Sequence, residues 1–194
     1  MELNIISGKQ EQHKRILIHG EAGVGKTTLA TSMGKALVIP TEDGTSHLDV
    51  DRTSLCKTYS DVFDTLTAVY KAEELDYEVI VLDSIDWCET FIERDLDREN
   101  FDCSYGKGTI EIAARLDRVL KALDAIREKL GVHVIVIAHS EAKVVEMVEG
   151  GSFSRWTPKL TKRSNAKLQE WSDHIGFACV EIKVRKESTG FGER

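Results

Sequence analysis

Residues Gly20, Glu21, Ala22, Gly23, Val24, Gly25, Lys26 and Thr27 follow the pattern G-x-x-x-x-G-K-[ST], whose chemistry is the holding of phosphate oxygens. Glycines at 20, 23 and 25 let the backbone curl until successive N–H groups point inward as an anion nest, reinforced by the positive end of the following helix. Lys26 then serves as a mobile point charge for the β- and γ-phosphates, the Thr27 hydroxyl as a ligand for Mg²⁺, and Thr28 completes the nucleotide-binding stretch. The bland alternative is a glycine-rich turn with an incidental lysine. Context argues against it: Arg15-Ile16-Leu17-Ile18-His19 reads as a buried strand before the loop, and Lys26-Thr27-Thr28-Leu29-Ala30 opens a helical pattern after it. The ligand these residues call for is a nucleoside triphosphate with Mg²⁺.

Three further apolar runs end in groups suited to that ligand. Val79-Ile80-Val81-Leu82 ends in Asp83, a carboxylate at a strand's C-terminal edge, where it can hold Mg²⁺ through the metal's water shell. Ser84 follows, so the residue next to Asp83 cannot activate a water. Ala36-Leu37-Val38-Ile39-Pro40 leads to Thr41-Glu42-Asp43-Gly44, and Glu42 is the candidate general base, set against the alternative of a plain acidic turn. Asp43 and Asp86 are the substitutes if Glu42 is not the base. Val134-Ile135-Val136-Ile137-Ala138 ends in His139-Ser140, and His139 is placed to sense the γ-phosphate or else is a satisfied structural histidine.

The elements that must position these groups alternate strand and helix, which predicts one α/β domain over residues 1–194 with a mostly parallel twisted sheet and helices on both faces. A helix is expected from about Ser60 to Ala72, with Ser60 as N-cap and Val62, Leu66, Val69 and Tyr70 inward. A longer helix carries Ile112, Leu116, Val119, Leu120, Leu123 and Ile126 inward and ends near Gly131. A last strand is expected over 174–184, and irregular loops over 100–108 and 146–161. A chain of 194 residues, 41% hydrophobic and 30% charged, suffices for one buried core. The apolar runs are too short to span a bilayer and no basic-then-apolar leader opens the chain, so a cytoplasmic protein without membrane contact is expected. Cys56, Cys88, Cys103 and Cys179 are scattered and read as reduced thiols.

The net charge of −7 excludes a generally sticky nucleic-acid binder, yet it is unevenly spread. Residues 41–102 are strongly acidic, whereas 152–169 carry no Asp or Glu and hold Arg155, Lys159, Lys162, Arg163 and Lys167. Phe153 and Trp156 interleave with those cations, joining π-faces for bases to charges for phosphates; the alternative is a solvated basic loop with Trp156 covering the core.

Taken in order, the phosphate loop, Thr41-Glu42-Asp43, Asp83-Ser84 and His139-Ser140 resemble the RecA-like ATPase core. Thr41-Glu42-Asp43-Gly44, Tyr105-Gly106-Lys107-Gly108, Ala138-His139-Ser140 and Pro158-Lys159-Leu160 look, more narrowly, like the phage nucleotide-binding proteins that include RecA-like single-strand annealing proteins. The resemblance implies a RecA-like P-loop NTPase fold, catalysis by Glu42 with Lys26 and His139, and Mg²⁺-ATP hydrolysis that is slow and stimulated by DNA or assembly. It implies single-stranded DNA held by loops at about 100–108 and 141–163, with Lys107, Arg155, Trp156, Lys159, Lys162 and Arg163 as contacts. A homo-oligomer, ring or filament, follows by the same resemblance, with Arg185 and Lys186 reaching a neighbour's nucleotide and a single-strand-binding protein as a further partner. His139 stands where recombinases place glutamine, and their flanking domains are absent from this sequence. Two other classes compete: a small-molecule kinase with Arg155 and Arg163 on a lid, and a nucleotide-dependent scaffold with little turnover.

Overall fold

A computed structural model describes residues 7–8, 12–46, 48–73, 75–147 and 150–181. Strands β1 (Arg15–Gly20), β2 (Ala36–Pro40), β3 (Asp51–Arg52), β4 (Val79–Asp83), β5 (His133–Glu146) and β7 (His174–Ala178) form a parallel sheet in the order β3-β2-β4-β5-β1-β7. The seventh strand, β6 (Ser152–Pro158), pairs antiparallel with the distal half of β5. Helices are α1 (Lys26–Thr31), α2 (Tyr59–Lys71), α3 (Ile85–Arg98), α4 (Lys107–Leu130) and α5 (Lys162–Trp171), with one 3₁₀ turn at Ser104–Gly106. This is the mostly parallel α/β sheet that the alternating pattern predicts.

The central strands are apolar throughout because both faces are covered. Alternate residues divide between two cores: Leu17, Ile80, Leu82, Val134 and Val136 pack with α2 to α5, while Ile18, Val79, Val81, Ile135 and Ile137 pack on the side of Ala30 in α1. The parallel register aligns Gly20 with His139 and Pro40 with Asp83. Strand ends bearing Gly20, Thr41, Asp83 and His139 therefore lie along one edge of the sheet, where crossover loops leave room for a ligand.

Several expectations change. The α2 cap is Thr58, not Ser60: Thr58 Oγ1 accepts from Asp61 N at 3.1 Å while Asp61 Oδ2 accepts from Thr58 N at 3.0 Å, a reciprocal capping box. Val62, Leu66 and Val69 are buried as expected, but Tyr70 is exposed. Helix α4 ends at a left-handed Gly131 (φ 64°), as its pattern predicts. The expected irregular loop over 146–161 is largely a two-stranded ribbon, because β5 runs on past the sheet edge to Glu146 and pairs with β6. The last strand covers His174–Ala178 within the described residues.

Candidate functional site

Two strand ends and a tight loop build the phosphate cradle. Gly23 (φ 78°) and Gly25 (φ 88°) adopt backbone that side chains rarely tolerate, and open space lies where their Cβ atoms would project. Gly20 is required for a different reason: a Cβ there would collide with the Ala178 carbonyl of β7. A cavity of about 350 Å³ lies over the loop, lined by Gly23, Lys26, Thr27, Glu42, Asp83 and His139 among others. Lys26 folds back on the loop, donating to the carbonyls of Glu21 at 2.8 Å and Gly20 at 3.2 Å. Burial lowers its pKa, opposed by the nearby Asp83, Glu42 and Asp86 carboxylates. Thr27 Oγ1 donates to Asp83 Oδ2 at 2.6 Å, so the two expected metal ligands already meet. Asp83 is 4% exposed, and burial raises its pKa despite the Thr27 hydrogen bond and the Lys26 charge.

These residues fit a magnesium nucleotide. Among the described residues no group of three or more His, Cys, Asp and Glu side chains forms a protein metal cage. A hydroxyl and one carboxylate beside an open anion nest are instead the sparse donor set of Mg²⁺, which takes its other ligands from water and phosphate oxygens.

Glu42 and His139 are brought together at the rim of this cavity. His139 Nε2 lies 3.6 Å from Glu42 Oε1, and Trp87 Nε1 donates to Glu42 Oε2 at 2.8 Å. Asp86, on the first turn of α3, accepts twice from His139: from the backbone N–H at 3.0 Å and from Nδ1 at 2.9 Å. The Asp86 hydrogen bond raises the His139 pKa against the opposing pull of burial, and Asp86 and Glu42 charges add to the rise. Burial would raise the Asp86 carboxyl, but hydrogen bonds from His139 outweigh it and hold it below its ordinary value. Glu42 is raised by burial, with His139 and Trp87 opposing. A half-buried carboxylate with elevated basicity beside a phosphate cavity is suited to take a proton from water.

Beyond Glu42 and His139 the floor opens into a second cavity of about 660 Å³, walled by Trp87, Arg94, Glu93, Glu141 and Lys159. Arg94 lies 5.8 Å from the Trp87 ring centroid. Glu89, buried beneath, accepts from Thr161 N and Oγ1 at 2.8 Å each and ties α3 to the start of α5.

The basic tract divides by face. Cross-strand partners are Lys143 with Arg155, Val145 with Phe153, and Ala142 with Trp156. Since side chains alternate along a strand, Lys143, Val145, Phe153 and Arg155 share one face and Trp156 lies on the other. Trp156 stacks on Phe177 of β7 at 6.1 Å, and Phe177 in turn meets His19 at 5.2 Å. His19 Nδ1 pairs with Ser140 Oγ at 2.8 Å, and burial lowers its pKa, with Arg155 and Lys26 adding to the effect. Lys159 donates its N–H to the His139 carbonyl at 2.8 Å, and Lys162 and Arg163 begin α5. In the other expected loop, Lys107 is 2.6 Å from Asp102, while Tyr105 (φ 51°) is almost fully exposed. Arg185 and Lys186 lie outside the described residues.

Asp86, Trp87, His19 and Phe177 are the site neighbours that sequence reasoning undervalued. Asp86 carried a signal, since it stands three residues past the strand-ending Asp83 on a new helix. His19 and Phe177 carried none, because their contacts cross more than 150 residues of chain or depend on strand order.

The phosphate loop, the strand-end carboxylate and the parallel sheet define a P-loop NTPase. A family model described as the AAA domain matches residues 12–193, and the chain belongs to that family of nucleotide-binding ATPases. A search of curated proteins found no match. Among the described residues no helix is long and apolar enough to cross a membrane.

Proposed function

We propose that this chain hydrolyses Mg²⁺-ATP with Glu42 as general base, and that it binds single-stranded DNA to assist annealing or recombination of the phage type within a homo-oligomer. The observation that carries the hydrolytic part is the placing of Glu42, held by Trp87 and beside His139, at the rim of the phosphate cavity. Bound Mg²⁺ would supply charge neutralisation at the phosphate oxygens. Thr27 and Asp83 would hold the metal, Lys26 would leave its loop carbonyls for the β- and γ-phosphates, Glu42 would accept the proton of the attacking water, and His139 would contact the γ-phosphate.

The DNA part is supported by the ribbon. Like charges directly opposed across a strand pair repel, and Lys143 faces Arg155, with Glu141 beside Lys143 at 2.9 Å as a partial offset. A phosphate strand relieves that repulsion while Phe153, 48% exposed, offers a ring for stacking. Phosphate release measured with and without single-stranded DNA tests both parts: turnover rising with DNA is expected, and turnover with no DNA binding at low salt overturns the DNA half. A second reading, phosphoryl transfer to a small hydroxyl acceptor, is favoured by the 660 Å³ cavity that opens beside Glu42 and His139. A phosphorylated product in a metabolite screen, without DNA binding, would put that reading first.

A further inference from the structure

Asp86 has no place in the phosphate cradle, yet it is the most elaborately paired carboxylate at the site. It stands near the start of α3, and one oxygen accepts the His139 backbone N–H at 3.0 Å while the other meets His139 Nδ1 at 2.9 Å. An ionised carboxylate has no proton to give, so Nδ1 must be the donor in that contact. The tautomer of a neutral His139 is thereby fixed with Nε2 bare. Nε2 is also the nitrogen that faces Glu42, at 3.6 Å, and the phosphate cavity.

A bare nitrogen repels a phosphate oxygen just as it repels a carboxylate. We propose that Asp86 is a positioning residue that makes the recognition of the nucleotide's third phosphate proton-coupled: His139 engages a γ-phosphate oxygen only as an imidazolium, through Nε2–H, with Nδ1–H committed to Asp86. The proposal rests on the nucleotide reading above and adds its regulation. Glutamine or asparagine in this position would donate a neutral N–H at any pH; a histidine locked by a carboxylate cannot. The other charged groups around the ring work in both directions. Glu42 from the end of β2, Asp83 from β4, and Glu141 further along β5 favour the cation, whereas Lys26 from α1 and Lys159 beyond β6 oppose it. The sum is a raised His139 pKa, in the direction the mechanism needs.

Glu42 shares the consequence. Before the triphosphate arrives, the imidazolium Nε2–H is oriented to Glu42; a γ-phosphate oxygen competes for that same hydrogen and leaves Glu42 held by Trp87 alone. Loss of a hydrogen bond to its ionised form makes a carboxylate a better proton acceptor. The base is thus strengthened by the ligand whose hydrolysis it serves.

Full-length wild type, Asp86→Asn and His139→Gln are compared in two measurements. The His139 ring midpoint is followed by NMR in the nucleotide-free protein, and calorimetry in buffers of differing ionisation enthalpy counts protons taken up on binding Mg²⁺-ADP or the Mg²⁺ complex of the β,γ-methylene analogue of ATP. At a pH above the ring midpoint, wild type takes up more protons with the triphosphate analogue than with ADP, and its preference for the analogue falls as pH rises. Asp86→Asn lowers the midpoint and reduces the preference about tenfold, the value of one charge-assisted hydrogen bond, while ADP affinity holds. His139→Gln keeps a preference but loses both the extra proton and the pH dependence, a pattern that a merely structural Asp86 would not produce. Equal proton uptake with both nucleotides in wild type overturns the proposal and leaves the ATPase reading standing. Failure of wild type to bind either nucleotide overturns the reading on which it rests.

Discussion

Glu42 is held by the Trp87 indole N–H and flanked by the His139 ring, and a carboxylate so placed can be changed without disturbing the cradle. Glu42→Gln keeps shape and the Trp87 contact but removes the proton acceptor. Turnover should fall by roughly 10²-fold or more while Mg²⁺-ATP affinity is kept, as single-turnover rates and equilibrium binding would show. Normal hydrolysis in this variant would move the base to another carboxylate. The cradle itself was legible residue by residue, because the glycines, Lys26 and Thr27 answer to local backbone geometry and fixed spacing. Asp83 and Thr27 are 56 residues apart and still meet at 2.6 Å, which the motif order implied. Asp86 and Trp87 were less legible, since their roles depend on the turn from β4 into α3 and on which helix face looks at the cavity.

At the level of elements, the β5–β6 ribbon is where sequence and structure diverge most. Interleaved cations and aromatics suggested one mixed binding loop, whereas strand alternation sends Phe153 and Arg155 to one face and Trp156 to the other. Composition could show the ingredients but not the pairing, which needs the register of Lys143 with Arg155. Phe153→Ala should therefore weaken single-stranded DNA binding by about 1 to 3 kcal/mol, and Arg155→Ala should lower the salt slope by roughly one. Trp156→Phe, which keeps a ring against Phe177, should change DNA affinity little. Fluorescence titrations at several salt concentrations would decide; a large loss from Trp156→Phe with none from Phe153→Ala would reverse the assignment of faces. Helix α2 offers a stability check of the same scale. Thr58→Ala removes the cap oxygen that Asp61 N–H needs, and should cost about 1 kcal/mol in denaturant unfolding, whereas Ser60→Ala should cost little.

For the whole molecule, the sheet order sets the chemistry: Gly20, Thr41, Asp83 and His139 converge only because β2, β4, β5 and β1 are parallel neighbours. Alternating apolar strands and helices made that class of sheet legible, but not the edge strand β7, whose register against β1 brings Phe177 beside His19 and Ala178 beside Gly20. β7 follows directly on a long-range tie. Arg15 Nη2 donates to Asp173 Oδ1 at 2.9 Å, and this pairing holds the Asp173 pKa down to about 2. A depressed carboxyl stabilises the fold above its unfolded pKa and loses that contribution as pH falls through the folded one. Asp173→Asn should thus cost on the order of 1 kcal/mol near neutrality, after allowance for solvent screening, and the gap from wild type should close between about pH 4 and 2. Unfolding curves across that range would check it. The most direct test of the central claim is calorimetric titration of Mg²⁺-ATP into wild type and Lys26→Ala, with folding verified by circular dichroism. Saturable binding by wild type and its loss in a folded Lys26→Ala protein is the predicted result; equal binding by both would contradict the assignment of the loop over 20–27 as the phosphate site.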